Sequence, residues 1–343
     1  MQQEHIECDI CYSPATLKEE NIQGYQQGTR FKVYHCQNCN TSFSLPRVDA
    51  STIYDAIYMN GKDVPGYSRY WRYFSNIRKQ KQPMEYLANS NEAYWAVQKS
   101  LSNLVVDKST VKILEIGSGL GYLTYALSTE GYDIKGMDVS TKAVQKAREN
   151  FGDLYLDADL FEHAKSHKGQ YDIAILTEVI EHVNLPVSFI KAISELINDS
   201  GSIIVTTPNR SIAPESVVYD TESPPVHHWW LSEDSMKQIG SQLDLSTSFV
   251  DFSEFYAKKP TIYDIDRGRQ RKRAPILDKD GNLLRKSKSG SNPWLKESLK
   301  KMDAVWTPLR KLSVALKAVS SSEKVICGER GEFLCATYEK KKS

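Results

Sequence analysis

The stretch Val111-Lys112-Ile113-Leu114-Glu115-Ile116-Gly117-Ser118-Gly119-Leu120-Gly121-Tyr122-Leu123-Thr124 constrains this 343-residue chain more than any other. A short apolar run reaches Glu115 and Ile116, three glycines follow at alternate positions, and a helical pattern begins. This reads as a strand, a turn with no room for side chains and a helix N-terminus. Such a unit brings backbone N–H groups against a nucleotide-like ligand. A dinucleotide site needs G-x-G-x-x-G, with the helix dipole aimed at a pyrophosphate. Here the pattern is E-x-G-x-G-x-G, and the carboxylate before the first glycine suits a cationic or amine-bearing ligand better than a diphosphate.

Strands and helices alternate around this unit. Strand 111–116 precedes a helix near 120–130. Strand 133–138 leads into a helix capped by Ser140 and running to about Asn150. A short strand spans 153–157, and Tyr171-Asp172-Ile173-Ala174-Ile175-Leu176 is a buried strand. Helix 186–198 opens on Pro186, strand 202–206 follows, and a helix from Ser232 to Gly240 has acidic residues in its first turn. Strands at 245–252 and 331–338 complete the series. The alternation predicts an α/β fold with a mostly parallel, doubly wound sheet, whose ligand sits at the carboxyl ends of the strands.

Several residues at those ends carry chemistry. Asp138 ends the strand after the glycine turn, where a carboxylate can accept two hydrogen bonds from a diol. Strand 171–176 ends in Thr177-Glu178-Val179-Ile180-Glu181-His182. If this segment is helical, Glu178, Glu181 and His182 stand at i, i+3 and i+4 on one face. Thr206-Thr207-Pro208-Asn209-Arg210 leaves the next strand, and Pro224-Pro225-Val226-His227-His228-Trp229-Trp230 follows on a long loop.

The glycine turn with Asp138 resembles motif I of the class I S-adenosylmethionine-dependent methyltransferases. The resemblance implies a seven-stranded Rossmann-like sheet whose last strand is antiparallel to the rest. It places Glu115, Gly117, Ser118, Gly119, Gly121, Asp138, Val139, Asp159, Leu160 and Thr177 against the cofactor. Of Asp157 and Asp159, the second, before Leu160-Phe161, is the expected adenine contact. The E-V-I-E-H and T-P-N segments and a later His before an aromatic residue resemble the ubiquinone-pathway O-methyltransferases. They are also similar to the small-RNA 3′-terminal 2′-O-methyltransferases. In members of these groups two Glu and one or two His hold a divalent metal. By motif position these are Glu178, Glu181, His182 and His227, with His228 as the alternative to His227. A metal would lower the proton affinity of an acceptor hydroxyl. Without one, His182 would act as general base, with Glu181 or Glu178 fixing its tautomer. Both readings stay open here.

Four of the six cysteines form two C-x2-C knuckles, Cys8/Cys11 and Cys36/Cys39, separated by 24 residues. Two such knuckles can surround one structural zinc with four thiolates. The expected organisation is a zinc ribbon at 1–48 and a helical segment rich in Tyr and Trp at 49–108. That segment is either a lid over the cleft or plain packing. The methyltransferase domain comprises 109–257 with 326–343, and a basic insertion occupies 258–325. The insertion holds 18 Lys/Arg against 7 Asp/Glu, within a chain of net charge +1. Its residues 292–320 show apolar positions at helical spacing, interrupted by Pro308.

No apolar stretch reaches the roughly 18 residues of a membrane span. The first residues show neither a basic nor an apolar signal region. The expectation is a cytoplasmic protein, with peripheral contact at the inner face of an anionic membrane left open by the insertion. The expected activity is O-methylation of a saccharide or glycan-linked intermediate, lipid-linked acceptors included. The zinc ribbon followed by an aromatic helical segment resembles the build of bacterial surface-glycan methyltransferases. An RNA 2′-O-methyltransferase and a C-methyltransferase on a keto-sugar are the alternatives. Nucleic acid ranks below a sugar partner because no aromatic stacking signature is legible.

Overall fold

The computed structural model describes residues 6–64, 66–213, 223–264, 275–284 and 324–341. The proposed helix at 292–320 lies outside the described residues, as does much of the basic insertion.

The chain begins with four antiparallel strands, β1 (Ile6–Glu7), β2 (Pro14–Gln23), β3 (Arg30–Cys36) and β4 (Thr41–Leu45). The two cysteine knuckles lie in the turns after β1 and between β3 and β4. Tyr34 and Phe43 stack at 5.8 Å as the small core beside them. The aromatic-rich segment is helical: α1 (Ser51–Asn60), α2 (Ser68–Asn76), α3 (Pro83–Ser90) and α4 (Glu92–Leu104). The Asn91 side chain caps α4 by accepting from Ala93 N at 2.7 Å.

The alternating part follows the sequence pattern. It runs β5 (Lys112–Ile116), α5 (Tyr122–Thr129), β6 (Asp133–Asp138), α6 (Thr141–Phe151), β7 (Tyr155–Asp157), α7 (Leu160–Ser166), β8 (Tyr171–Thr177), α8 (Pro186–Leu196) and β9 (Ile197–Pro208). Then come β10 (Trp229–Trp230), α9 (Glu233–Gln242), β11 (Leu245–Phe249), α10 (Ser253–Lys258), β12 (Ile262–Asp264), β13 (Lys324–Ile326) and β14 (Phe333–Lys340). Ser140 caps α6, Pro186 opens α8 and Ser232 caps α9, as the sequence suggests; Ser235 Oγ accepts from Ser232 N in return. Strand β9 is longer than its predicted core because Ile197 already pairs with Tyr171 across a bulge.

Seven strands form one sheet in the order β11-β14-β9-β8-β5-β6-β7. Strands β5 through β9 pair in parallel, and β14 runs antiparallel to both β9 and β11. Successive residues of the central strands feed two cores. Leu114, Ile116, Ala174, Leu176, Ile203 and Val205 pack with α8 and α9; Ile113, Ile173, Ile175 and Ile204 pack with α3, α4 and α5. That two-sided burial is why these strands read as continuous apolar runs. The ribbon residues Cys8, Tyr34, Cys39 and Phe43 belong to the first of these cores. Among the described residues no helix is long and apolar enough to cross a membrane.

Candidate active site

A cavity of about 870 Å³ opens at the carboxyl ends of β5, β6, β8 and β9. One side of it is the glycine turn. Gly117, Gly119 and Gly121 all have positive φ (+72°, +51° and +80°). Gly117 N and Ser118 N donate to Met137 O at 2.8 and 3.0 Å. Gly119 N donates to Asp138 Oδ2 at 2.8 Å, and Ser140 N donates to Asp138 Oδ1 at 2.8 Å. Asp138 therefore ties two strand ends together. Burial nevertheless holds its carboxyl above the usual range, against the pull of those N–H groups.

Glu115 is buried beneath the turn and accepts from the Thr124 hydroxyl. Burial pushes its carboxyl up to about 8. An ammonium group arriving there would restore its charge, which fits the amine of the expected cofactor. Val139 and Phe161 are apolar yet 70% and 46% exposed, and both line the cavity. They offer apolar surface for a planar base. Leu160 also lines the cavity, although it is only 3% exposed. Asp159 lines the cavity, but its Oδ1 caps α7 by accepting from Phe161 N and Glu162 N. Ser118 and Thr177 also line the cavity. Gly121 does not; it packs over Tyr155, whose ring an added Cβ would meet at 2.6 Å.

The other side carries the Glu/His residues, with two corrections. The segment after β8 is not an α-helix. Glu178 sits at φ +56°, which ends the strand abruptly, and a single 3-10 turn spans Ile180–His182. Glu178, Glu181 and His182 thus share no helical face. Glu178 Oε2 instead accepts from the Tyr70 hydroxyl at 2.6 Å, and Oε1 from Arg69 at 3.3 Å. Second, His228 does not replace His227: its Nδ1 lies 3.4 Å from the Ser44 hydroxyl, in the ribbon.

Glu181, His182 and His227 do converge, each offering a ligand atom within 4.8 Å of the others. The two imidazole rings are 4.8 Å apart at 68°. His182 Nδ1 donates to Val226 O at 2.5 Å, which leaves Nε2 as the unprotonated nitrogen of the neutral ring, 3.9 Å from Glu181 Oε1. Glu181 Oε2 accepts from Thr207 at 3.0 Å, while Oε1 is buried with no hydrogen-bond partner. Burial first, then the neighbouring Glu178, pushes the Glu181 carboxyl up to about 8; burial lowers the His182 imidazole. A buried, orphaned carboxylate oxygen beside two imidazoles fits a divalent cation. The four cysteines are likewise free thiols within 4.8 Å of one another, and they fit a four-thiolate zinc site.

Helices α1 and α2 form a wall of the cavity, and of that wall sequence reasoning missed Arg69. Tyr54, Tyr58, Tyr67, Arg69 and Tyr70 all line the cavity. Tyr73, from the same stripe, packs against Tyr86, Tyr94 and Tyr122 instead. The segment is both cover and packing. Arg69 lies 4.6 Å over the Tyr70 ring, and its Nε is buried without a partner. The only trace of this in the sequence is a cation placed inside an aromatic run.

Residues 78–247 match the family model described as a methyltransferase domain. The ubiquinone biosynthesis O-methyltransferases of Pectobacterium carotovorum and Escherichia coli K12 are each 31% identical over 105 residues. That is 29% of this chain and 44% of theirs, so the chain spans less than half the length of these curated relatives. A S-adenosylmethionine-dependent methyltransferase structure from Archaeoglobus fulgidus is 13% identical, covering 79% of this chain and 99% of that one with a TM-score of 0.45. The residues that match the methyltransferase domain take in the glycine turn, Asp138 and the Glu181–His182 turn.

Proposed function

We propose that the protein methylates a hydroxyl of a sugar or glycan-type acceptor with S-adenosylmethionine as donor. The observation that supports this reading is a single cavity lined by both the glycine turn and Glu181, His182 and His227. The donor, when bound, supplies a methyl group already activated on a sulfonium. The residues here must align the acceptor and take its proton. A neutral alcohol is a poor nucleophile. His182 Nε2 is the group able to accept its proton, because the Val226 carbonyl holds the other nitrogen protonated. Where Glu181, His182 and His227 hold a divalent cation instead, His182 Nε2 is a ligand and not the base, and the cation would lower the proton affinity of a bound hydroxyl and suit a vicinal diol. Zinc would close the four-thiolate ribbon.

A lipid-linked acceptor would bring the protein to an anionic membrane face, and the basic character of 258–325 suits that surface. The test is a calorimetric titration with S-adenosylmethionine, then a screen of nucleotide-sugar and lipid-linked acceptors with and without chelator. Mass spectrometry locates the added methyl. An O-methylated sugar is the expected product. A methyl on carbon of a keto-sugar, or on RNA ribose, would replace this acceptor assignment; absence of donor binding would remove the reading altogether.

A further inference from the structure

The segment that carries His227 runs directly into a strand of the ribbon sheet. Strand β10 pairs antiparallel with β4, Trp229 opposite Phe43 and Trp230 opposite Ser42. Ser44 N donates to His228 O at 2.9 Å, and Thr41 Oγ1 donates to Trp230 O at 2.9 Å. The Cys39 carbonyl, inside the second knuckle, accepts from Ser232 Oγ at 2.6 Å. Phe43 packs on Trp229 at 5.2 Å, with the Arg47 guanidinium 4.7 Å over the same indole. At the other end of the segment, Tyr25 N in the ribbon donates to Pro224 O at 2.7 Å. The ribbon therefore grips residues 224–232 on both sides of His227.

The same segment grips the catalytic turn. His228 N donates to Glu181 O at 2.9 Å, and Trp229 Nε1 donates to Val183 O at 2.9 Å. Val226 O is the acceptor that fixes His182. Because side chains alternate along an extended chain, His227 points to the cleft while His228 points to Ser44. A register slip of one residue would exchange the two histidines.

We propose that the ribbon is a positioning module for the active site: pairing with β4 sets which histidine faces the cleft and which His182 tautomer is present. The four-thiolate site acts through this pairing, since its second knuckle is the β3–β4 turn. Thr41, Ser44 and Arg47 are then positioning residues that touch neither donor nor acceptor. This inference rests on the proposed role of Glu181, His182 and His227, but its test uses no methyl transfer.

The experiment is nitrogen NMR of the full chain labelled at histidine, with His182 and His227 signals assigned from His182→Gln and His227→Gln variants. Thr41→Val keeps the shape of a fully buried side chain and removes the bond to Trp230 O. The expected result is that the His182 and His227 ring signals shift and broaden, S-adenosylmethionine affinity stays within about two-fold, and Thr41→Ser restores the wild-type spectrum. Unchanged ring signals in Thr41→Val would overturn the proposal. If Thr41→Val does not fold, Ser44→Ala and Arg47→Leu with the same readout decide it. An inactive protein whose ring signals still respond would condemn the proposed reaction and leave the positioning role standing.

Discussion

A methyl group added at Gly117 isolates how the donor turn is built. Gly117 has φ +72°, and a Cβ there would stand 2.6 Å from Val179 Cγ2 and 3.3 Å from Cγ1. Gly117→Ala therefore meets two separate costs. Holding a side chain in the left-handed region costs about 1–2 kcal/mol. Forcing the methyl against a short, branched neighbour costs a further ~1–3 kcal/mol. If the turn keeps its shape, stability falls by about 2–5 kcal/mol, the sum of those terms. If it opens to escape the clash, donor affinity falls instead, by roughly tenfold for each 1.4 kcal/mol diverted.

Val179→Ala separates the two. With the branch gone the steric cost disappears and the backbone cost remains, so Gly117→Ala made on that background should cost only about 1–2 kcal/mol. The cycle should thus show a favourable coupling of about 1–3 kcal/mol. Denaturant unfolding of the four proteins gives the stability terms, and calorimetric titration with S-adenosylmethionine gives the binding terms. Additive effects to within roughly 0.5 kcal/mol would refute the claim that Val179 closes over the turn.

Three further outcomes follow from the same structure. Gly119→Arg should abolish donor binding, because residue 119 faces the cavity with Tyr58 as its near neighbour; retained affinity by calorimetry would count against the site. Glu181→Ala should leave donor affinity unchanged and lower turnover by about a hundredfold; unchanged turnover would remove the cluster from the mechanism. Glu92 is buried against Tyr256 and Phe333 N, and burial raises its carboxyl from 4.5 to about 8. Its folded state binds the proton more tightly than its unfolded state. Stability from this site is full below pH 4.5 and drains away as pH rises to about 8, by up to roughly 5 kcal/mol. Glu92→Gln should flatten that loss in unfolding curves at pH 5, 6.5 and 8; an unaltered slope would show that Glu92 is not its source.

The donor half of the site was legible because its geometry is local. Three glycines at alternate positions after a buried strand leave few backbone paths, and Asp138 is carried to the turn by the next parallel strand. The Glu/His side of the cavity was legible only as a set of residue types. Glu178 shows why: its positive φ redirects the chain, and its carboxylate is taken by Arg69 and Tyr70, more than a hundred residues earlier. Helical spacing describes neighbours along one element and says nothing of a partner arriving from α2.

The choice between His227 and His228 shows the same limit more sharply. Adjacent residues of an extended segment point to opposite sides, so one of the two had to leave the cleft. Nothing local decides which. The decision comes from a two-residue strand, too short to read in the sequence, pairing with β4 almost two hundred residues earlier. The knuckle recognised from its cysteine spacing and the short strand that follows His227 and His228 belong to one antiparallel sheet. Treating the ribbon as an appendage and the cluster as self-contained separates two parts of a single structural unit, since the backbone bonds that fix the register of His227 are the ribbon's own.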